Sequence, residues 1–202
     1  MKIICVGRNY VDHAKELNNA VPKKPMLFMK PSTALLHKEH PFFYPDFSEN
    51  IHYEAEIVLK IKKNGKHIDE NFALDYFDEI TVGLDMTARD IQSQCKAKGH
   101  PWEIAKAFDN SAIIGEFVPA KDFDPNNVAF SLKRNGEIVQ QGNTADLIFS
   151  FAHLISYISR FFKLQIGDLI FTGTPAGVGP VEKGDTLEGF IGDQQLLNCR
   201  IK

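Results

Sequence analysis

One stretch of the chain, residues 52–61 with the sequence HYEAEIVLKI, places two acidic residues beside an alternating apolar pattern. Every second residue from Ala55 to Ile61 is apolar, and an apolar period of two is typical of a β-strand. Glu54 and Glu56 therefore point the same way, with backbones about 6.5–7 Å apart. The stretch predicts a strand that carries a pair of carboxylates on one face.

Two like charges side by side repel each other unless something compensates them. A hard divalent cation such as Mg²⁺, Mn²⁺ or Ca²⁺ is one compensation, since carboxylate oxygens are ligands that suit these ions. The other interpretation is that Glu54 and Glu56 are simply solvated on the wet face of a strand. The pair by itself leaves both interpretations open, and the rest of the chain has to decide between them.

The composition is that of an ordinary globular protein and argues against several classes of function. The 202 residues are 44% apolar and 24% charged, which predicts one domain over residues 1–202. A net charge of −3 argues against nucleic-acid binding, and no apolar run reaches the length of a membrane span. The opening MKIICVG predicts a strand rather than a signal peptide, and three widely spaced cysteines predict reduced thiols in the cytoplasm.

The order of elements predicts a β-dominated α+β fold with about three helices. The pair Asn135-Gly136 lies between two β-rich runs and predicts a hairpin, and Asn64-Gly65 predicts another. Longer helices are predicted from Thr87 to Lys98 and from Leu147 to Phe162. A short helix near residues 9–17 is predicted as well, with Asn9 as its cap.

The short helix carries a histidine and a carboxylate on one face. His13 and Glu16 are three residues apart, so their side chains can touch. A carboxylate orients an imidazole ring and favours its protonated form, which suits a general base or acid. The alternative is an ordinary surface pair, which is common at this spacing.

Further polar residues follow the acidic strand at points where elements end. Asp85 ends a β-rich run and can complete an oxygen-ligand site, while Arg89 and Gln92 share one face of the next helix. Lys106 is the only charge among small and apolar neighbours, and it either reaches out to water or is held inward for an anion. The Gly- and Thr-rich loop at 172–180 offers backbone N–H groups and hydroxyls, or is a plain turn.

In combination these residues resemble the fumarylacetoacetate hydrolase family, most closely its short acylpyruvase and oxaloacetate decarboxylase branch. The resemblance runs nearly end to end and keeps the order of the motifs. The motifs that carry it are GRNY at 7–10, His13 with Glu16, KPS at 30–32, YEAE at 53–56, GLD at 83–85 with Arg89, Lys106, and TGTPAGVG at 172–179. The resemblance implies a mixed β-sheet roll peculiar to the family and usually paired into a homodimer.

The resemblance also implies a role for each of ten residues. The implied ligands of a divalent metal, Mg²⁺ or Mn²⁺ with Ca²⁺ as a further possibility, are Glu54, Glu56 and Asp85. The implied catalytic groups are His13 and Glu16, as a dyad on a short lid helix, and Lys106. The implied substrate-binding groups are Lys30, Arg89, Gln92 and Thr174.

The activity that the resemblance implies is hydrolysis of the carbon–carbon bond of acylpyruvates through a metal-bound enolate. The substrate is then a small 2-oxo acid, and the products are pyruvate and a carboxylate. An alternative is decarboxylation or keto–enol tautomerisation of oxaloacetate, because the same site can stabilise the same enolate. A more remote alternative is a metal-bound small-ligand binder without catalysis, because a fold alone does not fix a function.

Overall fold

Strands make up most of the regular structure in the computed structural model, which describes residues 1–16, 20–37 and 40–202. The described strands, in chain order, are β1 (Ile3–Gly7), β2 (Met26–Lys30), β3 (Ile51–Tyr53), β4 (Ala55–Ile61), β5 (Phe77–Asp85), β6 (Thr87–Ala88), β7 (Ala112–Ile114), β8 (Val118–Pro119), β9 (Ala129–Arg134), β10 (Glu137–Asn143), β11 (Leu169–Phe171), β12 (Gly179–Pro180), β13 (Thr186–Ile191) and β14 (Gln194–Arg200). The described helices are α1 (Val11–Glu16), α2 (Arg89–Lys98), α3 (Glu103–Lys106) and α4 (Phe151–Ser159), with 3₁₀ turns at Ser32–Ala34, Glu70–Tyr76, Ala120–Asp122 and Thr144–Asp146. The predicted β-dominated α+β class is confirmed.

The strands form one large mixed sheet and two smaller antiparallel ones. The large sheet has the order β2-β1-β11-β4-β5-β7, with β8 added on β5, and only its β1–β11 pair is parallel among the described strands. The second sheet has the order β10-β9-β13-β14, and the third is the short β12-β3-β6. The acidic strand β4 therefore lies in the interior of the large sheet, with hydrogen-bonded neighbours on both sides.

Apolar side chains cover β4 on both faces, so this strand has no wet face. The larger core packs one face of the sheet against the four-stranded sheet and α4, and it includes Ile57, Leu59 and Val82. A second cluster covers the other face with Ile3, Cys5, Ala34, Val58, Ala112, Leu169 and Phe171. A strand that is buried on both faces leaves no solvent for Glu54 or Glu56, so the solvated interpretation of this pair is wrong.

The register of β4 with β5 brings the three predicted metal ligands to one end of the sheet. Glu56 lies opposite Gly83 in the antiparallel ladder. Beyond the last paired residues, the backbone N–H of Asp85 donates to the carbonyl oxygen of Glu54 at 2.9 Å. The two chain segments stay in contact past the strand end, and their carboxylates are held side by side.

One of the two predicted hairpins is confirmed and the other is wrong. Asn135 and Gly136 have φ of 54° and 85°, as a two-residue hairpin turn requires, and they connect β9 to β10. Strands β4 and β5 also pair, but their connection runs from residue 62 to residue 76 and contains a 3₁₀ turn. Gly65 instead packs under Tyr76, where an added Cβ would lie 2.4 Å from the ring. Tertiary packing therefore accounts for this glycine.

The two longer helices are present, each with a later start than predicted. Helix α2 begins at Arg89 because Thr87 and Ala88 pair with β3 instead. Helix α4 begins at Phe151, and its cap is Ser150, whose hydroxyl accepts from the N–H of His153 at 3.2 Å. None of the helices among the described residues is long and apolar enough to cross a membrane.

Asn9 does not cap the short helix as predicted but ties three chain segments together. Helix α1 starts at Val11, and residue 17 of the predicted range lies outside the described residues. The fully buried Asn9 amide donates to the carbonyls of Thr172 at 2.8 Å and Phe149 at 3.0 Å. Its carbonyl accepts from the N–H of Phe149 at 2.8 Å. The entry to α1 is thereby fixed against the end of β11 and the approach to α4.

We expect Asn9→Ala to lower the free energy of unfolding by about 3–5 kcal/mol, because it leaves two carbonyls and one N–H buried without partners. For a chain of this size the melting temperature should fall by about 10 °C. Thermal unfolding followed by circular dichroism measures the loss. The matched control is Asn127→Ala, which removes an exposed amide bonded to Asn143 and should cost less than about 0.5 kcal/mol. Equal losses for both variants would contradict the role given to Asn9.

Candidate metal and active site

Three buried carboxylates meet at the end of the β4–β5 ladder. One oxygen each of Glu54, Glu56 and Asp85 lies within 4.8 Å of the others. The residues are only 5%, 2% and 1% exposed, respectively. Three charges this close and this dry cannot all be ionised without compensation.

Cations from three different elements neutralise two of the three carboxylates. The Lys106 ammonium, from α3, donates to Glu54 at 2.8 Å and to Asp85 at 2.7 Å. The Arg89 guanidinium, at the start of α2, donates to the other oxygen of Glu54 at 2.6 Å. The Lys30 ammonium, at the end of β2, lies 2.7 Å from the other oxygen of Asp85. Each carboxylate oxygen of Glu54 and Asp85 therefore lies within ion-pair distance of a cation.

These ion pairs favour the charged forms of Glu54 and Lys106. Burial by itself would raise the pKa of the Glu54 carboxyl, but the charges of Lys106 and Arg89 outweigh it and hold that pKa below its usual value. Burial would likewise lower the pKa of Lys106, but Asp85 and Glu54 raise it instead. Glu54 and Lys106 therefore form a charged pair.

Glu56 is the one carboxylate of the triad without an ion pair among the described residues. Its one hydrogen bond among the described residues comes from the backbone N–H of Gly173, at 2.6 Å. Burial, followed by the charges of Asp85 and Glu54, raises the pKa of Glu56 well above its usual value. A divalent cation would remove this penalty, and three carboxylates are a suitable donor set for Mg²⁺ or Mn²⁺. The residues present therefore fit such an ion.

The histidine of α1 belongs to the same site. His13 is 4% exposed, and its Nδ1 lies 3.1 Å from Glu16. Because a carboxylate only accepts, Nδ1 must carry the hydrogen, so Nε2 has the free lone pair of the neutral ring. The other oxygen of Glu16 accepts from the N–H of Gly177 at 3.0 Å. The pair is thus held to the glycine-rich loop.

The hydroxyl of Thr174 has a defined direction. The buried Gln140, from β10, accepts from the N–H of Ala55 at 2.9 Å, which fixes the orientation of its amide. The amide nitrogen then donates to the Thr174 hydroxyl at 2.9 Å and to the carbonyl of Pro175 at 3.1 Å. Since this hydroxyl oxygen accepts from Gln140, its own hydrogen is left for a partner in the cavity.

Most of the predicted site residues surround one small cavity of about 30 Å³. Eight of the ten line it: His13, Glu54, Glu56, Asp85, Arg89, Gln92, Lys106 and Thr174. Glu16 lies behind His13, with a side chain that is 32% exposed. Lys30 lies behind Asp85, where its ammonium also donates to the Ser111 hydroxyl at 3.0 Å and to the Lys106 carbonyl. This placement makes Lys30 a support for the carboxylates rather than a group that faces the cavity.

Several lining residues lie outside the predicted set. Arg8, Lys96 and Trp102 line the cavity, together with Phe28 and Met26 from β2. Arg8 is part of the GRNY motif, and this motif could have identified it as a site residue. Lys96 follows Gln92 by four residues on the same helical face, and this spacing could have identified Lys96 as a site residue. Gln140 lies on a different sheet, and its local sequence gives no indication of its contact with the site.

The fold and the site together define a class: a curled, β-rich protein with a buried carboxylate triad of the kind that holds divalent cations. Within that class, the chain belongs to the fumarylacetoacetate (FAA) hydrolase C-terminal family, whose model matches residues 2–202. The members of this family are enzymes, and the resemblance seen in the sequence motifs is confirmed.

Curated relatives and a solved structure match over nearly the whole chain. Oxaloacetate tautomerase FAHD1, mitochondrial, from Mus musculus is 44% identical over 99% of this chain and 91% of its own. Oxaloacetate tautomerase YcgM from Escherichia coli is 45% identical over 92% of this chain and 86% of its own. A fumarylpyruvate hydrolase from Pseudomonas aeruginosa, solved with Mn²⁺ and pyruvate, is 42% identical with a TM-score of 0.94, over 100% of this chain and 89% of that one.

We expect Mg²⁺ or Mn²⁺ to stabilise the folded protein by about 2.7 kcal/mol at 100 times the dissociation constant. Glu56→Gln should abolish this stabilisation while leaving the metal-free protein at least as stable, because it removes a charge that burial disfavours. Because protons and metal compete for Glu56, whose pKa is raised, the stabilisation should grow as the pH rises from 6 to 8. Thermal unfolding with added metal and with a chelator measures all three effects.

The matched control for this measurement is Glu79→Gln, on the same strand as Asp85. Glu79 pairs with Lys60 at 2.6 Å, at a position where both side chains are more than a third exposed. This variant should respond to metal as the unmodified protein does. A Glu56→Gln protein that keeps the full response would exclude Glu56 as a metal ligand.

Proposed function

We propose that this protein is a divalent-metal-dependent oxaloacetate tautomerase. The reaction moves one proton between C3 and the 2-oxo oxygen of oxaloacetate and breaks no carbon–carbon bond. Two relatives of this chain, one animal and one bacterial, carry that name at 44% and 45% identity. The proposal thus favours the tautomerase alternative over the acylpyruvate hydrolase that the motifs first indicated.

The observation that carries the proposal is the oriented base in the cavity. His13 is buried there with its Nδ1–H directed at Glu16, so Nε2 is the nitrogen able to take a proton. In the keto-to-enol direction Nε2 would accept a proton from C3, and the imidazolium would then pass that proton to the 2-oxo oxygen to complete the enol. The reverse reaction would run the same two transfers backwards. Glu16 stabilises the imidazolium and is itself held by Gly177, so the ring keeps one orientation through both steps.

The carboxylates Glu54, Glu56 and Asp85 are the residues that would hold the metal. Such an ion, when bound, would act as a Lewis acid that draws electron density from the 2-oxo oxygen and so acidifies the protons on C3. Mg²⁺ and Mn²⁺ are the proposed ions, and a relative is solved with Mn²⁺.

Fixed positive charge and hydrogen-bond donors would bind the 2-oxo acid end of the substrate. Lys106 and Arg89 are buried or half-buried cations that are already oriented by Glu54, so they cost little reorganisation when negative charge develops nearby. The Thr174 hydroxyl hydrogen, released toward the cavity by Gln140, would donate to the substrate carboxylate. Gln92 accepts from Arg89 at 2.7 Å and keeps its amide nitrogen for the substrate.

A second candidate is the acylpyruvate hydrolase, which the fumarylpyruvate hydrolase from Pseudomonas aeruginosa supports at 42% identity. In that reaction His13 would take a proton from water instead of from C3. Loss of CO₂ from oxaloacetate requires removal of a proton neither from water nor from C3. Decarboxylation would therefore depend on His13 least. The response to loss of His13 therefore separates decarboxylation from the other two activities, which are told apart by the substrate that is turned over.

The assembly and location of the protein are proposed on the same family grounds. We expect a homodimer, as the family resemblance implies, and a single catalytic domain over residues 1–202 with α1 acting as a lid. A cytoplasmic location is supported by the three cysteines, which are free and buried in the fold.

We expect the protein with Mg²⁺ to interconvert enol- and keto-oxaloacetate, followed by the ultraviolet absorbance of the enol. His13→Ala should slow this by about 10²–10⁴-fold, the usual contribution of a general base. Pyruvate release from oxaloacetate and from acetylpyruvate is measured alongside. The matched control, His40→Ala, changes an exposed histidine that lines a separate surface hollow with Arg200, and it should leave the rate unchanged.

Each outcome of these assays has a distinct meaning. Faster turnover of acetylpyruvate than of oxaloacetate would replace the tautomerase with the hydrolase. Tautomerase activity that survives His13→Ala would refute His13 as the base. Release of pyruvate from oxaloacetate without enol interconversion would make the protein a decarboxylase.

We expect Gln140→Glu to raise KM for oxaloacetate about tenfold while kcat changes less, since a lost hydrogen bond to a charged group costs about 1.5 kcal/mol or more. The new carboxylate would accept from both Ala55 and Thr174, so the hydroxyl would turn its lone pairs to the cavity. In a Thr174→Val background the same substitution should have little further effect on KM. Equal effects in both backgrounds would show that Gln140 does not act through this hydroxyl.

A further inference from the structure

Helix α2 presents three polar residues to the cavity, and their partners differ. Arg89, Gln92 and Lys96 are three and then four residues apart, so they form one stripe along the helix. Arg89 is bonded to Glu54 and Gln92. The ammonium of Lys96, one turn further along the helix, makes no ion pair or hydrogen bond with any described residue. This ammonium lies 5.5 Å from the centre of the Trp102 ring.

Arg8, directly after β1, lines the same cavity. Its φ is 65°, in the left-handed region that residues other than glycine rarely adopt. The preceding Gly7 lies so close to β2 that an added Cβ would meet the Met26 methyl at 2.6 Å. The backbone thus lies close to β2 at Gly7 and turns at Arg8. This turn places the Arg8 side chain in the wall of the cavity. Within the described part of the chain, Arg8 has no carboxylate partner either.

The outer part of the cavity is therefore an unbalanced cationic region. Around the cavity, the described cations Arg8, Lys30, Arg89, Lys96 and Lys106 outnumber the carboxylates of the triad. The inner three cations are paired with Glu54 and Asp85, so the unpaired cations are Arg8 and Lys96. Partial burial, with the charges of Arg89 and Arg8, lowers the pKa of Lys96, as expected for a cation without a partner. An anion between these two side chains would relieve the repulsion.

We propose that Arg8 and Lys96 form a second anion subsite, which binds the distal carboxylate of a dicarboxylic 2-oxo acid. The subsite rests on the proposed function in one respect, since the 2-oxo acid end must occupy the inner site beside Arg89 and Lys106. Residues of both subsites line the same cavity, and the proposal places the two ends of one short substrate there. The protein then selects substrates by a second negative charge and not only by the 2-oxo acid group.

The chain offers a direct measure of this subsite. Trp102 is the only tryptophan of the sequence, and it lies beneath Lys96 in the cavity wall. Its fluorescence therefore reports binding without any need for turnover. Two probes differ at one end only: oxaloacetate has a carboxylate at C4, and 2-oxobutyrate has a methyl group there. Both are titrated in freshly prepared solution with Mg²⁺.

Two variants remove one charge each and suit the local structure. Lys96→Met keeps an unbranched apolar side chain beside Trp102, and Arg8→Asn places a residue that tolerates left-handed φ. Each should weaken oxaloacetate binding about tenfold, the scale of one charge-assisted hydrogen bond, while 2-oxobutyrate binding stays within about twofold. The control is Lys98→Met, which changes an exposed lysine of the same helix outside the cavity lining and should alter neither.

Raised salt should reduce the preference for oxaloacetate in the unmodified protein, since the subsite is open to solvent on the Lys96 side. Equal weakening of both probes, or no weakening of oxaloacetate, would overturn the subsite. Preference for oxaloacetate that depends on Arg8 and Lys96, in a protein without tautomerase activity, would support the subsite and overturn the proposed reaction instead. The two failures are therefore distinguishable.

Discussion

The burial of three carboxylates, two of which are paired with cations, determines how the surrounding elements pack. Lys30, Arg89 and Lys106 come from β2, α2 and α3, and each must reach the end of the β4–β5 ladder. A buried ion pair adds little net stability, because both partners lose their hydration. Removing one partner is costly, however, so the pairs fix where these three elements pack. The charge cluster specifies an arrangement more than it stabilises the fold.

The glycine-rich loop after β11 joins the parts of the site that the sheet does not hold. Gly173 donates its N–H to Glu56, Thr174 lines the cavity, and Gly177 donates its N–H to Glu16. Gly173 and Gly177 have φ of 106° and 95°, and an added Cβ on Gly177 would lie 2.5 Å from the Val139 carbonyl oxygen. Only glycine suits both positions. A proposed metal ligand and a proposed base are therefore fixed by one short segment of backbone.

Charge balance connects the proposed function with the proposed subsite. The paired cations leave Glu56 as the carboxylate in need of a positive partner, and they leave Arg8 and Lys96 as the cations in need of a negative one. A divalent cation and a dicarboxylate together would satisfy both needs. The same local imbalance would be a defect in a protein without ligands, because unpaired charges near a low-dielectric cavity are destabilising.

Features that depend on neighbouring residues were predictable from the sequence. Alternation over residues 55–61 set the strand, the Asn135-Gly136 pair set its hairpin, and the spacing of His13 and Glu16 brought these side chains together. Together with the resemblance of its motifs to a known family, the sequence also indicated the three carboxylates that meet at the strand ends.

Contacts between side chains from distant segments depend on how the chain packs and were not predictable from the sequence. Packing buries both faces of β4 and places Lys30 behind Asp85. It also bonds Asn9, predicted as a helix cap, to distant chain segments instead. It also brought Gln140 from another sheet to Thr174, and left Arg8 and Lys96 facing one cavity. Hydrogen bonds and ion pairs act over about 3–4 Å, so their partners are chosen by packing and not by distance along the chain.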